Sequence, residues 1–261
     1  MNLQFEERPS LHGYRIGIAS LDAEKSLNAL SLPMIEALDA RLQAWADDPE
    51  IACVVLRGNG AKAFCAGGDL QTIGAAAETN NVTPVVSEML RHYHAFIETV
   101  RRMPKIVLSS VHGSAAGAGM GLAFVTDLCI AADDARFTPA YAKIGVSPDG
   151  GSTVGIVGTV GTRRALQIFL AEDGFTAQQA YEWGLVVKTV PAAELKAATR
   201  QLAERLAKNP PAAIAGTKSL VYQAVTTPTR QQLDAEEHKI ITSMHTEDFR
   251  VAVKKFTSKS K

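Results

Sequence analysis

The chain has 261 residues, 46% of them apolar and 21% charged, enough to bury a full core as one large domain or as one domain with an appendage. Its 27 Lys and Arg balance 27 Asp and Glu, so no net field draws it to nucleic acid or to an anionic membrane, and an anionic ligand has to be gripped by local lysines. Three scattered cysteines (Cys53, Cys65, Cys129) lack C-x-x-C spacing, which argues against a disulfide framework or zinc site, and neither a signal-like start nor a run of roughly 18 apolar residues occurs, so the reading is a cytoplasmic protein.

Strand and helix patterns alternate from the start. Residues 14–19 alternate as a strand does, and residues 52–56 form the short apolar run of a buried one. Between them Ile35, Leu38, Leu42 and Trp45 recur on one helical face, with Ser31 as a cap and Pro33 in the first turn. Residues 74–81 (Gly-Ala-Ala-Ala-Glu-Thr-Asn-Asn) read as a mobile loop that could serve as a lid. A helix over 84–102 follows, with Met89, Tyr93, Phe96, Ile97 and Val100 on its apolar side, then a strand at 105–111, a helix from about 118 and a strand at 128–132. Beyond about residue 160 helices dominate: 177–183 capped by Thr176, 192–207, 211–224, 230–244 and a last one to about 256, interrupted by a strand-like piece at 186–190. The division expected is an α/β core over residues 1–200 and a helical region over 201–261, with Pro210 and Pro211 near the join.

Two turns of small residues stand out: Phe64-Cys65-Ala66-Gly67-Gly68-Asp69-Leu70 and Gly113-Ser114-Ala115-Ala116-Gly117-Ala118-Gly119-Met120-Gly121. Where side chains are nearly absent, peptide N–H groups come within reach of a ligand, and two of them on one oxygen make an oxyanion hole. The second turn lies between strand and helix patterns, where free N–H groups and the helix dipole favour an anionic oxygen. Its glycines, at 117, 119 and 121, miss the G-x-G-x-x-G dinucleotide spacing, and Gly58-Asn59-Gly60-Ala61-Lys62 misses that of a P-loop. His12, His92, His112, His238 and His245 show no metal-ligand spacing, so no metal is expected, and Ser152 does not sit in a G-x-S-x-G elbow.

The two turns, in order with Lys25-Ser26-Leu27-Asn28-Ala29-Leu30 and Tyr181-Glu182-Trp183-Gly184-Leu185-Val186, resemble the crotonase (enoyl-CoA hydratase/isomerase) superfamily over nearly the whole chain, from about residue 10 to 258. The resemblance implies an α/β fold, a repeated β-β-α spiral with a helical C-terminal trimerisation region, as a homotrimer or a hexamer built as a dimer of trimers. It implies an acyl-CoA thioester as substrate, coenzyme A entering as part of it and no other cofactor. Gly68 and Ala118 would supply the two N–H donors to the thioester oxygen. Lys25, Leu27, Lys62, Ala66, Gly67, Asp69, Leu70 and Gly117 match positions around the coenzyme, as do Phe256 and Lys259 of the C-terminal F-x-x-K pattern, which in family trimers reaches the nucleotide, often from a neighbouring subunit.

The chain departs from the family's hydratases where the chemistry is done. Those enzymes activate water with two glutamates, whose positions here hold Gly121 and Tyr141. One other carboxylate is available. Asp149, in Ser147-Pro148-Asp149-Gly150-Gly151, matches the segment where the isomerase branch, including the phenylacetate-catabolism isomerases, carries a single acid and 4-chlorobenzoyl-CoA dehalogenase its aspartate nucleophile. A single base suffices to move a proton from C2 to C4, and burial against apolar walls would strengthen it. The expectation is therefore an enoyl-CoA isomerase of the Δ3,Δ2 type with Asp149 as base. The alternatives are an enoyl-CoA hydratase, a dehalogenase-like or hydrolytic enzyme in which His94 and Tyr141 assist Asp149, and an acyl-CoA-binding protein without catalysis.

Overall fold

The computed structural model describes residues 2–258. Strand β1 (Leu3–Pro9) pairs antiparallel with β2 (Arg15–Leu21), and helix α1 (Leu32–Asp47) crosses to β3 (Ile51–Gly58), parallel to β2. Ser31 does start α1, but its side chain makes no capping bond; Met34, Ile35, Leu38, Leu42 and Trp45 are buried along its inner face. The far end of α1 is closed instead by Lys105, whose Nζ donates to the carbonyls of Trp45, Ala46 and Asp48 at 2.5, 2.7 and 2.8 Å, placing a cation where the helix dipole is negative.

From β3 onward the chain repeats one motif: a strand in the first sheet, a short strand in a second, then helix. Strand β4 (Ala63–Cys65) leads to α2 (Leu70–Glu78) and α3 (Val82–Arg102). Next come β5 (Ile106–Val111), β6 (Ser114–Ala116) and α4 (Ala118–Val125), then β7 (Leu128–Ala132), β8 (Arg136–Thr138) and α5 (Ser152–Leu170), which breaks at Gly161. Strand β9 (Phe175–Thr176), α6 (Ala177–Glu182) and β10 (Lys188–Val190) complete the spiral. The first sheet has the order β1-β2-β3-β5-β7-β10 and the second β4-β6-β8-β9, so successive turns stack in register on both. Thr176 caps α6 in a reciprocal box with Gln179.

Strand β3 is buried on both faces, which explains its unbroken apolar run: Val54 and Leu56 join the main core with α1, while Cys53 and Val55 face the second cluster with Leu195 and Ala203. Those two belong to α7 (Leu195–Ala207), so a division at residue 200 cuts a helix of the core; the change of architecture comes at Pro210 and Pro211. Helices α8 (Pro211–Ala224), α9 (Thr229–Met244) and α10 (Glu247–Ser258) follow. Among the described residues α8 is pinned to the core by a buried ion pair. Lys218 Nζ, buried, donates to Val100 O at 2.6 Å, Lys105 O at 2.9 Å and Asp127 at 2.8 Å, and Asp127 also accepts from Tyr222 Oη at 2.6 Å. Every polar atom of this buried pair is matched, the condition under which such a pair does not destabilise. Among the described residues α9 buries none, and Leu233, Ile240, Ile241 and Val251 lie exposed on α9 and α10.

Two expectations change here. Residues 74–78 are the second half of α2 rather than a lid, because Asp69 caps that helix by accepting from Gln71 N and Thr72 N, so only 79–81 remain a connection. The second turn is not a direct strand-to-helix step either, since β6 intervenes.

Candidate active site

The two small-residue turns meet at the open ends of β4 and β6. Leu30 N donates to Gly67 O at 2.7 Å and Asp69 N to Leu30 O at 3.2 Å, bracketing Gly68 in a parallel bridge. In that pattern the bracketed residue's own N–H points away from the bridge, and no group among the described residues accepts from it. In the other turn Gly117 N donates to Thr138 O at 2.9 Å, and Gly117, at φ +50°, swings the chain into α4, whose first N–H belongs to Ala118. The Ala118 N–H likewise finds no acceptor among the described residues.

The glycines bring these donors together. A Cβ on Gly119 would lie 2.2 Å from Cys65 O, and one on Gly67 would lie 2.8 Å from Ala116 O and 3.5 Å from Ala118 N. Only glycine permits the two turns to touch at this distance.

A third wall comes from α3 and the loop after β8. Tyr93, buried on α3, donates its hydroxyl to Ala118 O at 3.0 Å, and its ring lies against Gly150, where a Cβ would come within 2.5 Å of it. The loop places Asp149 beside it. Gly68, Ala118, Tyr93 and Asp149 line one cavity of about 40 Å³, completed by Leu30, Ile35, Ile73, Val86, Met89 and Leu90. Asp149 is exposed, contrary to the burial anticipated from the sequence, because it rides on a glycine-rich loop with solvent on one side. An acyl group entering the cavity would cover it.

Tyr141 is buried behind Asp149. Its hydroxyl shares a 2.7 Å hydrogen bond with Ser152 Oγ and lies 3.4 Å from Asp149 O. Burial pushes the Tyr141 phenol well above its usual range, and burial does the same to Tyr93, with the negative charge of Asp149 adding to both. Both therefore stay neutral, as hydrogen-bond donors. The position of Gly121 is closed to side chains, since a Cβ there would lie 2.5 Å from Ser152 Oγ. The space that a second carboxylate would need is filled by the Tyr141–Ser152 pair. Cys65 is no nucleophile: burial pushes its thiol up to about 12.

The remaining residues singled out from the sequence divide. Lys25 and Lys62 are exposed, and Ala66 N donates to Leu27 O at 2.9 Å, so the two segments that carry them run side by side. Leu27, at φ +52°, and Leu70 are exposed and do not line the cavity. Asp69 is engaged as the α2 cap and Gly117 as the pivot into α4. His94 is exposed and off the cavity, because α3 turns Tyr93 inward in its place. Phe256 lies in α10 with its side chain outside the described set, and Lys259 lies outside the described residues. Tyr93 and Ser152 were missed. The periodicity marks Tyr93 only as core, and Ser152 carries no motif. Among the described residues no group of three or more His, Cys, Asp and Glu side chains could hold a metal ion, and no helix is long and apolar enough to cross a membrane.

Known proteins resemble this chain over most of its length. A family profile described as Enoyl-CoA hydratase/isomerase matches residues 15–261. A probable enoyl-CoA hydratase of Rhodobacter capsulatus is 34% identical over 94% of this chain and 92% of its own. The 1,2-epoxyphenylacetyl-CoA isomerase of Escherichia coli is 32% identical over 92% of this chain and 91% of its own. The crystal structure of an enoyl-CoA hydratase from Polaromonas sp. JS666 superposes with a TM-score of 0.90 at 30% identity, covering 98% of this chain and 97% of the other.

Proposed function

The chain belongs to the enoyl-CoA hydratase/isomerase family, of the crotonase superfamily, and acts on acyl-CoA; within that family we propose that it is an isomerase, moving an unsaturated bond of an enoyl-CoA of the Δ3,Δ2 type with Asp149 as its base. The observation that carries this reading is the single cavity lined by Gly68, Ala118 and Asp149.

The thioester oxygen is received by the Gly68 and Ala118 N–H groups. When C2 loses a proton, charge accumulates on that oxygen, and each preorganised donor there is worth about 3–4 kcal/mol to the transition state. Asp149 accepts the C2 proton and returns it at C4, so the base is regenerated and no water is consumed. Tyr93 holds the Ala118 peptide in place through its carbonyl while packing against Gly150, tying the oxyanion turn to the loop of the base. The closed position at Gly121 counts against hydration, because a carboxylate to activate water has no room there. His94, off the cavity, counts against a dehalogenase-like hydrolysis that would need it.

Coenzyme A enters as part of the substrate, its phosphates on Lys25 and Lys62. The apolar residues left open on α8–α10, among them Val221, Ile240 and Val251, fit a homotrimer that covers them. The test is product identity. Incubated with a 3-enoyl-CoA, the protein is expected to release the 2-enoyl isomer, and with crotonyl-CoA to add water poorly. Efficient hydration of crotonyl-CoA, or binding of both thioesters without product, would overturn the reading.

A further inference from the structure

A second and larger cavity, of about 810 Å³, lies on the other face of the first sheet, between β2, β3 and α7, and has no part in the chemistry above. Its size falls in the range of small-molecule sites, roughly 300–1,000 Å³. Because side chains alternate along a strand, Val54 and Leu56 serve the core that backs the active site, while Val55 and Arg57 point to this cavity. The floor is apolar: Ile16, Ile18 and Val55, with Leu195 and Ala203 of α7. The lining charges are Arg8, Arg57, Lys196 and Arg200 against Asp134, a positive excess within a chain of zero net charge.

The excess is largely tied down. Arg57 and Arg8 share Glu6, at 3.0 and 2.5 Å, and Arg57 Nε donates to Ser20 Oγ at 2.8 Å. Arg200 reaches Glu204 at 3.5 Å along its own helix. Among the described residues Lys196 makes no salt bridge, although it stands one helical turn from Arg200 on the same rim. His112 also lines the cavity, with a buried ring Nε2 that has no hydrogen-bond partner. A buried ring nitrogen without a partner is costly unless a ligand or water supplies one.

We propose that this cavity binds a small organic carboxylate with an apolar body, its carboxylate between Lys196 and Arg200 and its body on Ile16, Ile18 and Val55. Arg8 and Arg57 share the one carboxylate of Glu6 and Arg200 has Glu204, so with Asp134 the rim keeps about one net positive charge and suits one negative charge rather than a polyanion, and the apolar floor would be idle under inorganic phosphate.

The test is calorimetric titration of the intact protein with octanoate, repeated on Ala193→Trp, which fills the cavity from the exposed turn before α7, on Lys196→Glu, and on Leu90→Trp, which plugs the acyl cavity instead. One octanoate per chain is expected, weakened at least about tenfold, some 1.4 kcal/mol, in Ala193→Trp and in Lys196→Glu, unchanged in Leu90→Trp and not displaced by inorganic phosphate. No saturable octanoate binding, a loss in Leu90→Trp, indifference to both Ala193→Trp and Lys196→Glu, or displacement by phosphate or coenzyme A would each overturn the proposal.

Discussion

The turns that present Gly68 and Ala118 and the loop that carries Asp149 face each other across one cavity, yet they are built on opposite terms. The turns are locked by strand pairing, by the bridge at Leu30 and by glycines whose replacement would drive a Cβ into backbone. The loop is exposed from Ala142 to Ser147 and at Asp149, and it runs through Gly145, Gly150 and Gly151 at φ +76°, +56° and +72°. The rigid half uses peptide groups, so the side chain borne by a donor residue matters little, which is why alanine serves at position 118. The exposed half uses one side chain, so the identity of the reaction is set there. A family can thus keep its means of holding a thioester while changing what happens to it.

Removing the base should separate the two halves most widely. In Asp149→Asn we expect kcat to fall by at least about 10³-fold while acyl-CoA affinity, read by calorimetry, stays within about twofold. Ala118→Pro deletes one donor at a first helical position, where proline is best tolerated, and should lower kcat by about 10²–10³-fold with the melting temperature little changed. Gly121→Glu, at the hydratase position, should not create a hydratase; its Cβ would meet Ser152 Oγ at 2.5 Å, so a loss of about 1–3 kcal/mol in urea unfolding is expected, with no gain in crotonyl-CoA hydration. The smallest effect belongs far from both halves. A hydrogen bond from Arg8 holds the Glu6 carboxyl below its ordinary value of 4.5, so the native state binds fewer protons than the unfolded chain in acid. The stability this contributes is present above that value and is lost as the pH falls through the lowered one. Glu6→Gln should therefore narrow the gap between melting temperatures measured at about pH 7 and pH 3, leaving kcat untouched.

Much of this was legible in the sequence, for reasons particular residues make plain. The α1 and α3 faces repeat at helical spacing and are buried where the spacing puts them. The second sheet was not legible, because strands of two or three residues such as β9 and β6 are too short to show a period. The helix α2 was hidden by its Gly-Ala-Ala-Ala composition, which displays no face, and by a cap, Asp69, that reads as part of a binding motif. Gly155 and Gly158, poor helix formers within α5, and its break at Gly161 hid its beginning in the same way. In the site, the oxyanion turns announce themselves by missing side chains. Asp149 stands out only through the family resemblance, since Pro-Asp-Gly is an ordinary turn. The roles of Tyr93 and Ser152 depend on contacts between distant segments, with Ala118 and Tyr141 respectively, that no local pattern encodes.

The central claim is that Asp149 moves the C2 proton while the two peptide N–H groups hold the oxygen. Its most direct test is nuclear magnetic resonance of a 3-enoyl-CoA with the protein in deuterated water, in the native chain and in Asp149→Asn. The native chain is expected to deliver 2-enoyl-CoA, with deuterium entering only to the extent that the proton on Asp149 exchanges with solvent before it is returned, and Asp149→Asn to bind the thioester but deliver neither deuterium nor product. Isomerisation and exchange at native rates in Asp149→Asn would contradict it.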